Sequence, residues 1–443
     1  MQERKSIPQY IYYVYILLIA YISIIPFYYL PYVYVHNTAL PVFKYFPLIL
    51  IFLIFWFAYN NKYFHFNIIV ADSANISVAI YFILTLFSGI FTPYYFISIS
   101  KAFYYGMTGI LIYFVMYSFR LKETDIETFI RSFVLIAFIV SFYGFITFIL
   151  GKDILFSRLP FGKSNIIHPN VFLKAGRISS TFGNPHFLGS FLSCIFPLSI
   201  YLWLKQKGLR NFLIYMTASV VLFSAILLTF SMGAYISIVV FFMFYLKLRT
   251  KCQFSISEKI IKNILLGYAV AVLLTIILIA SNLFAKTYYP NGKTLITVGR
   301  IDFDKLANPE GFTYRWGSIR TALRYWNINH GLGIGIGRIG SGSGLTHRIT
   351  MDNFYCLSLI EYGFMPTLAM FIVFVIFFKN VHNSKVLINV PLIPILEMSL
   401  VSFFINMFFW DLFNHPTMRI VFWSLAGILR SLVYSVRNSH KVL

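Results

Sequence analysis

Two stretches of this chain hold side chains suited to binding a charged ligand and moving a proton. The later one begins with Arg315, Arg320 and Arg324, passes His330 and a glycine-rich run from Gly331 to Gly344 that includes Arg338, and ends at Asp352-Asn353. A guanidinium is permanently charged and grips phosphate oxygens through paired hydrogen bonds, so these arginines suit a phosphate-bearing ligand. An interfacial helix meeting lipid phosphates in general would carry the same residues. Asp352 is the best-placed carboxylate. As a general base it would take the proton of an attacking hydroxyl while arginines stabilise a phosphate leaving group; as an N-cap it would close the helix that follows. Glu361 lies about two and a half turns further along that helix.

The earlier stretch, Arg177-Ile178-Ser179-Ser180-Thr181-Phe182-Gly183-Asn184-Pro185-His186, is small, hydrogen-bonding and turn-forming, with a proline at an expected helix start. Free backbone amides at such a start, together with Arg177, Asn184 and His186, would receive an anionic headgroup. A capped helix with interfacial polar residues accounts for the same spacing.

Other patterns carry less. Gly335, Gly337 and Gly340 form a GxGxxG, but a dinucleotide fingerprint needs a strand before it and a helix after it in a βαβ unit, and the surroundings here are membrane spans. The run is either a turn bringing backbone close to a ligand or a spacer. Asp302-Phe303-Asp304 has the DxD spacing of soluble metal-dependent glycosyltransferases, yet two solvated acids in a basic loop explain it as well. No His, Cys and carboxylate cluster has metal spacing. Cys194, Cys252 and Cys356 lie in separate hydrophobic segments with no CxxC, which argues against a disulfide framework.

The elements that must position these residues are membrane helices. The chain has 443 residues, 59% hydrophobic and only 11% charged, with mean hydropathy of +0.77. Soluble chains hold about a quarter of their residues charged, so an all-α polytopic membrane protein is expected, folded as one membrane domain over 1–443. Apolar segments at 9–30, 41–59, 75–92, 101–119, 128–150, 185–204, 211–230, 232–247, 262–282, 352–378, 390–411 and 416–436 are long enough to span a bilayer. These predict about twelve transmembrane helices. The division between the seventh and eighth rests on Ser231-Met232-Gly233 alone. The amino terminus, with Arg4 and Lys5 before an apolar run and no small-residue cleavage site, reads as a retained first span.

The formal net charge of +22 is spread over many short loops, which excludes the single basic stripe of a nucleic-acid binder. With both termini cytoplasmic, Lys and Arg concentrate in the inner connections, as the positive-inside rule requires. Two longer outer loops, 151–184 and 283–350, break that bias. The second holds nine Lys or Arg against three Asp or Glu. Within it Trp316, Ile319, Leu323 and Trp326 recur at helical spacing, predicting a helix with that face against the bundle, Arg320 and Arg324 beside it and Arg315 on the other flank.

The layout and two groups of residues resemble the O-antigen polymerase and ligase family of bacterial surface-polysaccharide assembly. One group is Ser180-Thr181-Phe182-Gly183-Asn184-Pro185-His186. The other runs from Arg315-Trp316 through Asn329-His330-Gly331-Leu332-Gly333-Ile334-Gly335 to Asp352-Asn353-Phe354-Tyr355 and Glu361-Tyr362-Gly363. Ligases of the family place a His where this chain has Asp352, which favours polymerase. Many members follow the serine at the outer end of a middle span with Arg; here Met232 follows Ser231, so that phosphate contact would come from elsewhere, with Arg177 a candidate.

The resemblance implies a large, partly helical periplasmic loop and a metal-independent glycosyl transfer with no cofactor, at the outer face of the cytoplasmic membrane. The implied partners are undecaprenyl-diphosphate-linked glycans and membrane lipids, with room for a chain-length regulator. Asp352 and Arg315 would be catalytic. Arg177, Asn184, His186, Arg320, Arg324, His330, Arg338, Asn353 and Glu361 would bind substrate. A ligase acting on a lipid A core, and a flippase or transporter of lipid-linked oligosaccharide, are the alternatives.

Overall fold

In the computed structural model the described residues are 32–35, 38–41, 72–92, 95–118, 123–150, 177–206, 208–251, 273, 309–336, 353–382, 390–413 and 415–441. They are almost entirely helical. The one exception is a two-stranded antiparallel hairpin, β1 (Tyr32–Val35) and β2 (Thr38–Pro41), in which Val35 faces Thr38 and Tyr32 faces Pro41.

The helices are α1 (Ser73–Ile90), α2 (Tyr95–Tyr105), a π-helical turn (Gly106–Ile110), α3 (Leu111–Ser118), α4 (Glu123–Leu150), α5 (Pro185–Lys205) and α6 (Leu209–Thr229). They continue with α7 (Met232–Lys251), α8 (Pro309–Ile328), α9 (Phe354–Glu361), α10 (Phe364–His382), α11 (Leu392–Met407) and α12 (Pro416–Lys441). Among the described residues, 6 helical segments are long and apolar enough to cross a membrane, and α7, α10 and α11 are shorter apolar helices. The protein is therefore a helical membrane protein. The expected span at 9–30, that at 41–59 beyond its first residue and that at 262–282 apart from Leu273 lie outside the described residues.

Local sequence explains most of the boundaries. Asp72 caps α1 by accepting from the Ala74 amide, and Asn184 caps α5 by accepting from the His186 amide, with Pro185 next as its first helical residue. The short interval between the seventh and eighth expected spans is a true turn: α6 ends at Thr229, Phe230 takes a left-handed conformation (φ +48°), and α7 begins at Met232. Helix α5 is the centre of the bundle, packing on α4, α6, α7 and α11. Helix α12 packs on α3, the π turn and α11, while α1 packs on α2 and α10.

Three features depart from the sequence reading. The expected span at 352–378 is broken. Helix α9 stops at Glu361, Tyr362 and Gly363 (φ +86°) interrupt it, and α10 resumes at Phe364. Helix α11 ends at Met407, so Asp411 belongs to the connection to α12 and not to the span. Helix α8 forms over the predicted stretch, but the face that packs is Ile319, Ala322 and Tyr325, set against Cys356, Leu357 and Ile360 of α9. Leu323 is 50% exposed and Trp326 is also exposed. Choosing Leu323 and Trp326 favoured the bulkiest residues; close approach of α8 to α9 instead selects the small Ala322.

The glycine run has a packing role. Past α8 the chain lies along the α9–α10 break: the amides of Ile334 and Gly335 donate to the Ile360 and Glu361 carbonyls (2.8 and 3.1 Å), and the Phe364 amide donates to Gly331 O (2.9 Å). A Cβ on Gly333 would run into the Glu361 carbonyl. Gly335 adopts φ +107°, and a Cβ there would strike Ser98 Oγ. Only glycine permits this fit.

Candidate functional site

At the end of the bundle where α5, α7 and α12 begin, two polar clusters form on either side of the α11–α12 connection. The first is built by the turn that the earlier stretch predicted. Ser179 leads into a 3-10 turn, Ser180–Phe182, closed by Gly183 at φ +65°. Ser180 Oγ donates to the Val140 carbonyl of α4 (2.6 Å), and the Ile178 amide donates to Leu228 O of α6 (3.1 Å). These bonds seat Arg177 against the α6–α7 turn. Its Nε donates to Thr229 O (2.9 Å), and Nη2 lies 3.4 Å from both Phe230 O and His186 Nε2.

His186 has a neighbour at each ring nitrogen: Arg177 Nη2 lies 3.4 Å from Nε2, and Ser231 Oγ lies 3.4 Å from Nδ1. The ring stacks at 4.6 Å on Trp410. Burial pulls the Arg177 guanidinium below its usual pKa, in the direction expected for a cation removed from water.

Beneath this cluster lies a polar hub. Asn406 Nδ2, with two protons to share, lies within hydrogen-bond distance of Ser193 Oγ, Ser237 Oγ and the Ser402 carbonyl (3.0, 2.9 and 2.7 Å), and Asn406 Oδ1 lies 3.0 Å from Ser190 Oγ. Ser190 also bonds the His186 carbonyl (2.7 Å), and the Trp410 amide donates to Asn406 O (2.9 Å). One amide thereby ties α5, α7 and α11 together directly below the His186–Trp410 stack.

The second cluster surrounds Arg419, which is 2% exposed on the first turn of α12. Its Nε donates to Thr108 Oγ1 in the π turn (3.0 Å), and Nη1 donates to the Phe413 carbonyl (2.7 Å). Its Cζ lies 4.0 Å from the Tyr105 ring centroid and 5.3 Å from that of Tyr104, within range of a cation–π contact. Nη2 has no hydrogen-bond partner among the described residues. Gly109 makes the approach possible: a Cβ there would sit 2.5 Å from Trp423 and 3.1 Å from Arg419 Cγ. π turns inside helices gather at functional sites.

Two acidic residues sit on the neighbouring elements. Glu361, 1% exposed, ends α9, whose first residue Phe354 packs edge-on to Phe413 at 4.9 Å. Asp411 lies between Trp410 of the first cluster and Phe413 of the second. Both carboxylates act electrostatically on the Tyr105 and Tyr362 hydroxyls. His415 joins the two sides, its ring 4.5 Å from Phe187 and 5.5 Å from Phe182. Burial, reinforced by Arg419, pushes His415 down to about 3, so it is neutral near pH 7.

The residues expected at the site separate into groups. Arg177, Asn184 and His186 converge, and Glu361 is buried beside the second cluster. Arg320, Arg324 and His330 are exposed, the arginines along α8 and His330 in a left-handed turn (φ +51°) after it. Asn353 caps α9, accepting from the Tyr355 and Cys356 amides. The cap position therefore falls to Asn353 and not to Asp352. Asp352, Arg338 and the side chain of Arg315 lie outside the described residues. Arg419, Trp410 and His415 were not singled out from the sequence, although an arginine inside an apolar window is itself a signal of function. No protein-family model matches the chain, and no curated protein matches it.

Proposed function

We propose that the chain polymerises undecaprenyl-diphosphate-linked oligosaccharide repeat units by glycosyl transfer, as a multi-pass enzyme of about twelve spans. The clustered ends would lie at the outer face of the bacterial cytoplasmic membrane, with both termini inside. The observation that carries this reading is the convergence of Arg177, His186 and Ser231 at the bundle end where α8 and the glycine run also join. A basic group held by main-chain carbonyls, next to an imidazole, suits the diphosphate of a lipid-linked donor.

In the proposed reaction an acceptor sugar hydroxyl attacks the anomeric carbon of the donor glycan. The bond from that carbon to the phosphate oxygen breaks, and undecaprenyl diphosphate departs with the electron pair. Arginine stabilises the charge that develops on the leaving oxygen. The hydroxyl proton passes to a carboxylate, for which Asp352 is the sequence candidate, with Arg315 beside it. No metal or cofactor is required by this scheme.

The test is the lipid-linked glycan of a deletion strain. Polymerase function predicts a single repeat unit on its carrier, restored to long polymer by the cloned chain. Full-length polymer in the deletion strain overturns the proposal. Long polymer left unattached to a lipid A core would indicate the ligase. A transporter is favoured by one observation, the broken helix at Tyr362-Gly363, since interrupted helices build transport sites. It predicts lipid-linked repeats accumulating on the cytoplasmic side.

A further inference from the structure

Helix α8 packs on α9 through Ile319, Ala322 and Tyr325, and the next flank of the helix is left uncovered. Leu323 is 50% exposed there, Trp326 is exposed beside it, and Arg320 and Arg324 are exposed one step further round. Residues three and four apart are neighbours on a helix surface, so Trp326, Leu323 and Arg320 form a continuous strip from apolar to charged, with Arg324 one turn from Arg320. The apolar part of this strip is not isolated. The Trp326 ring lies 6.2 Å from that of Phe364 at the head of α10, and Leu332, 49% exposed, pairs through its backbone with Gly363. From Phe364 an exposed apolar stripe runs along α10 through Leu368, Ile372 and Val375. On an apolar helix of a membrane protein, such a stripe is a lipid-facing surface.

Length fixes the depth at which the two surfaces meet. The apolar part of α10, Phe364–Phe378, rises about 22 Å at 1.5 Å per residue, about 8 Å less than the ~30 Å hydrocarbon core of a bilayer. With one boundary at Phe378, where Lys379 follows in sequence, Phe364 lies just inside the other. Trp326 against it then falls at the junction of acyl chains and headgroups. Indole rings concentrate at that level, and helices lying in a membrane surface bury their apolar flank about 5–10 Å there. We infer that α8 docks on the membrane: Leu323 and Trp326 enter the acyl boundary of the leaflet nearest Phe364, and Arg320 and Arg324 bind the phosphates of its lipid headgroups. The occupant is lipid and not a protein, because the uncovered strip continues a lipid-facing stripe and carries its cations at the edge where anionic headgroups lie. The glycine strap holds α8 in this register, the Phe364 amide donating to Gly331 O (2.9 Å). Neither arginine then serves the donor diphosphate, so the docking goes beyond the proposed glycosyl transfer and stands without it.

The experiment places a benzophenone amino acid in the full chain at Leu323 and, in a second chain, at Val375, which is 61% exposed on the α10 stripe. Each chain is purified into nanodiscs of equal phosphatidylcholine and phosphatidylglycerol, without lipid-linked glycan, then irradiated and analysed by mass spectrometry. Lipid adducts at both positions are the expected result, with phosphatidylglycerol favoured at 323 by about fivefold for each arginine and no preference at 375. R320Q and R324Q together should remove the preference at 323 and leave the yield at 375 unchanged, which reports that the chain is still folded in the disc. Peptide adducts at 323, or none there beside a normal yield at 375, overturn the docking. Equal labelling by the two lipids at 323, or a preference that survives the double variant, overturns the part given to the arginines.

Discussion

Two buried arginines of helix α12, Arg419 and Arg430, lie about three turns apart, each 2% exposed, and they are accommodated in opposite ways. Arg430 Nη2 reaches both oxygens of Asp72, at 2.5 and 2.6 Å, so its charge is met in full by the residue that caps α1. Nearby, Tyr113 donates to Asn75 of the same helix (2.6 Å). Among the described residues Arg419 makes no ion pair, and it is held by a hydroxyl, a carbonyl and aromatic faces. Both leave guanidinium nitrogens without partners, so an unpaired nitrogen does not by itself separate them. Charge compensation does. A cation matched by a carboxylate locks two helices together, whereas a cation held by neutral groups keeps its field available to whatever arrives beside it.

The largest effect should come from breaking the locked pair. Asp72→Ala leaves Arg430 buried and uncompensated, at a cost of about 3–5 kcal/mol, read as a collapse in the thermal stability of the detergent-extracted chain. Adding Arg430→Met should restore most of it. An equal collapse in Arg419→Met would erase the contrast between the two arginines. Arg419→Lys keeps the charge and loses the fork, so polymer yield should fall about 100-fold with the melting temperature near that of the parent. Undiminished polymer would show that Arg419 contributes only charge.

Asn406→Leu comes next. It strips partners from three serines and should cost about 1–2 kcal/mol, measured as a lower melting temperature, together with shorter polymer as the His186–Trp410 stack loosens. If stability drops and chain length does not, the hub supports the bundle without positioning the first cluster. The smallest effect concerns pH. His415 folds with its pKa near 3, below the roughly 6.5 of an unfolded imidazole. The folded protein therefore binds fewer protons there, and this contribution to stability is complete above pH 6.5 and lost as pH falls toward 3. His415→Phe should flatten that part of the acid limb in a melting series; an unchanged limb would assign it to carboxylates.

Apolar length and cap chemistry made the helices legible: every expected span whose body falls within the described residues is helical, and Asn184-Pro185 marks the start of α5 as read. The turn at Arg177–His186 was legible for the same reason, since its small residues and proline act locally. What stayed hidden depends on neighbours distant in sequence. Gly363 inside an apolar run gives no sign of a break until Leu332 bridges to it. Arg419 looks like a charge in a short connection until the π turn presents Thr108 beneath it. The buried face of α8 is set by the shape of α9, which no periodicity within α8 contains.

The glycine strap from Gly331 to Ile336 has a mechanical consequence. It bonds to the last carbonyls of α9, those of Ile360 and Glu361, and to the first turn of α10, while α8 packs along α9 itself. Helix α8 therefore cannot shift relative to the membrane bundle without tearing backbone hydrogen bonds at the residue that carries the Glu361 carboxyl. Force applied to α8 is delivered to the backbone of one buried acid.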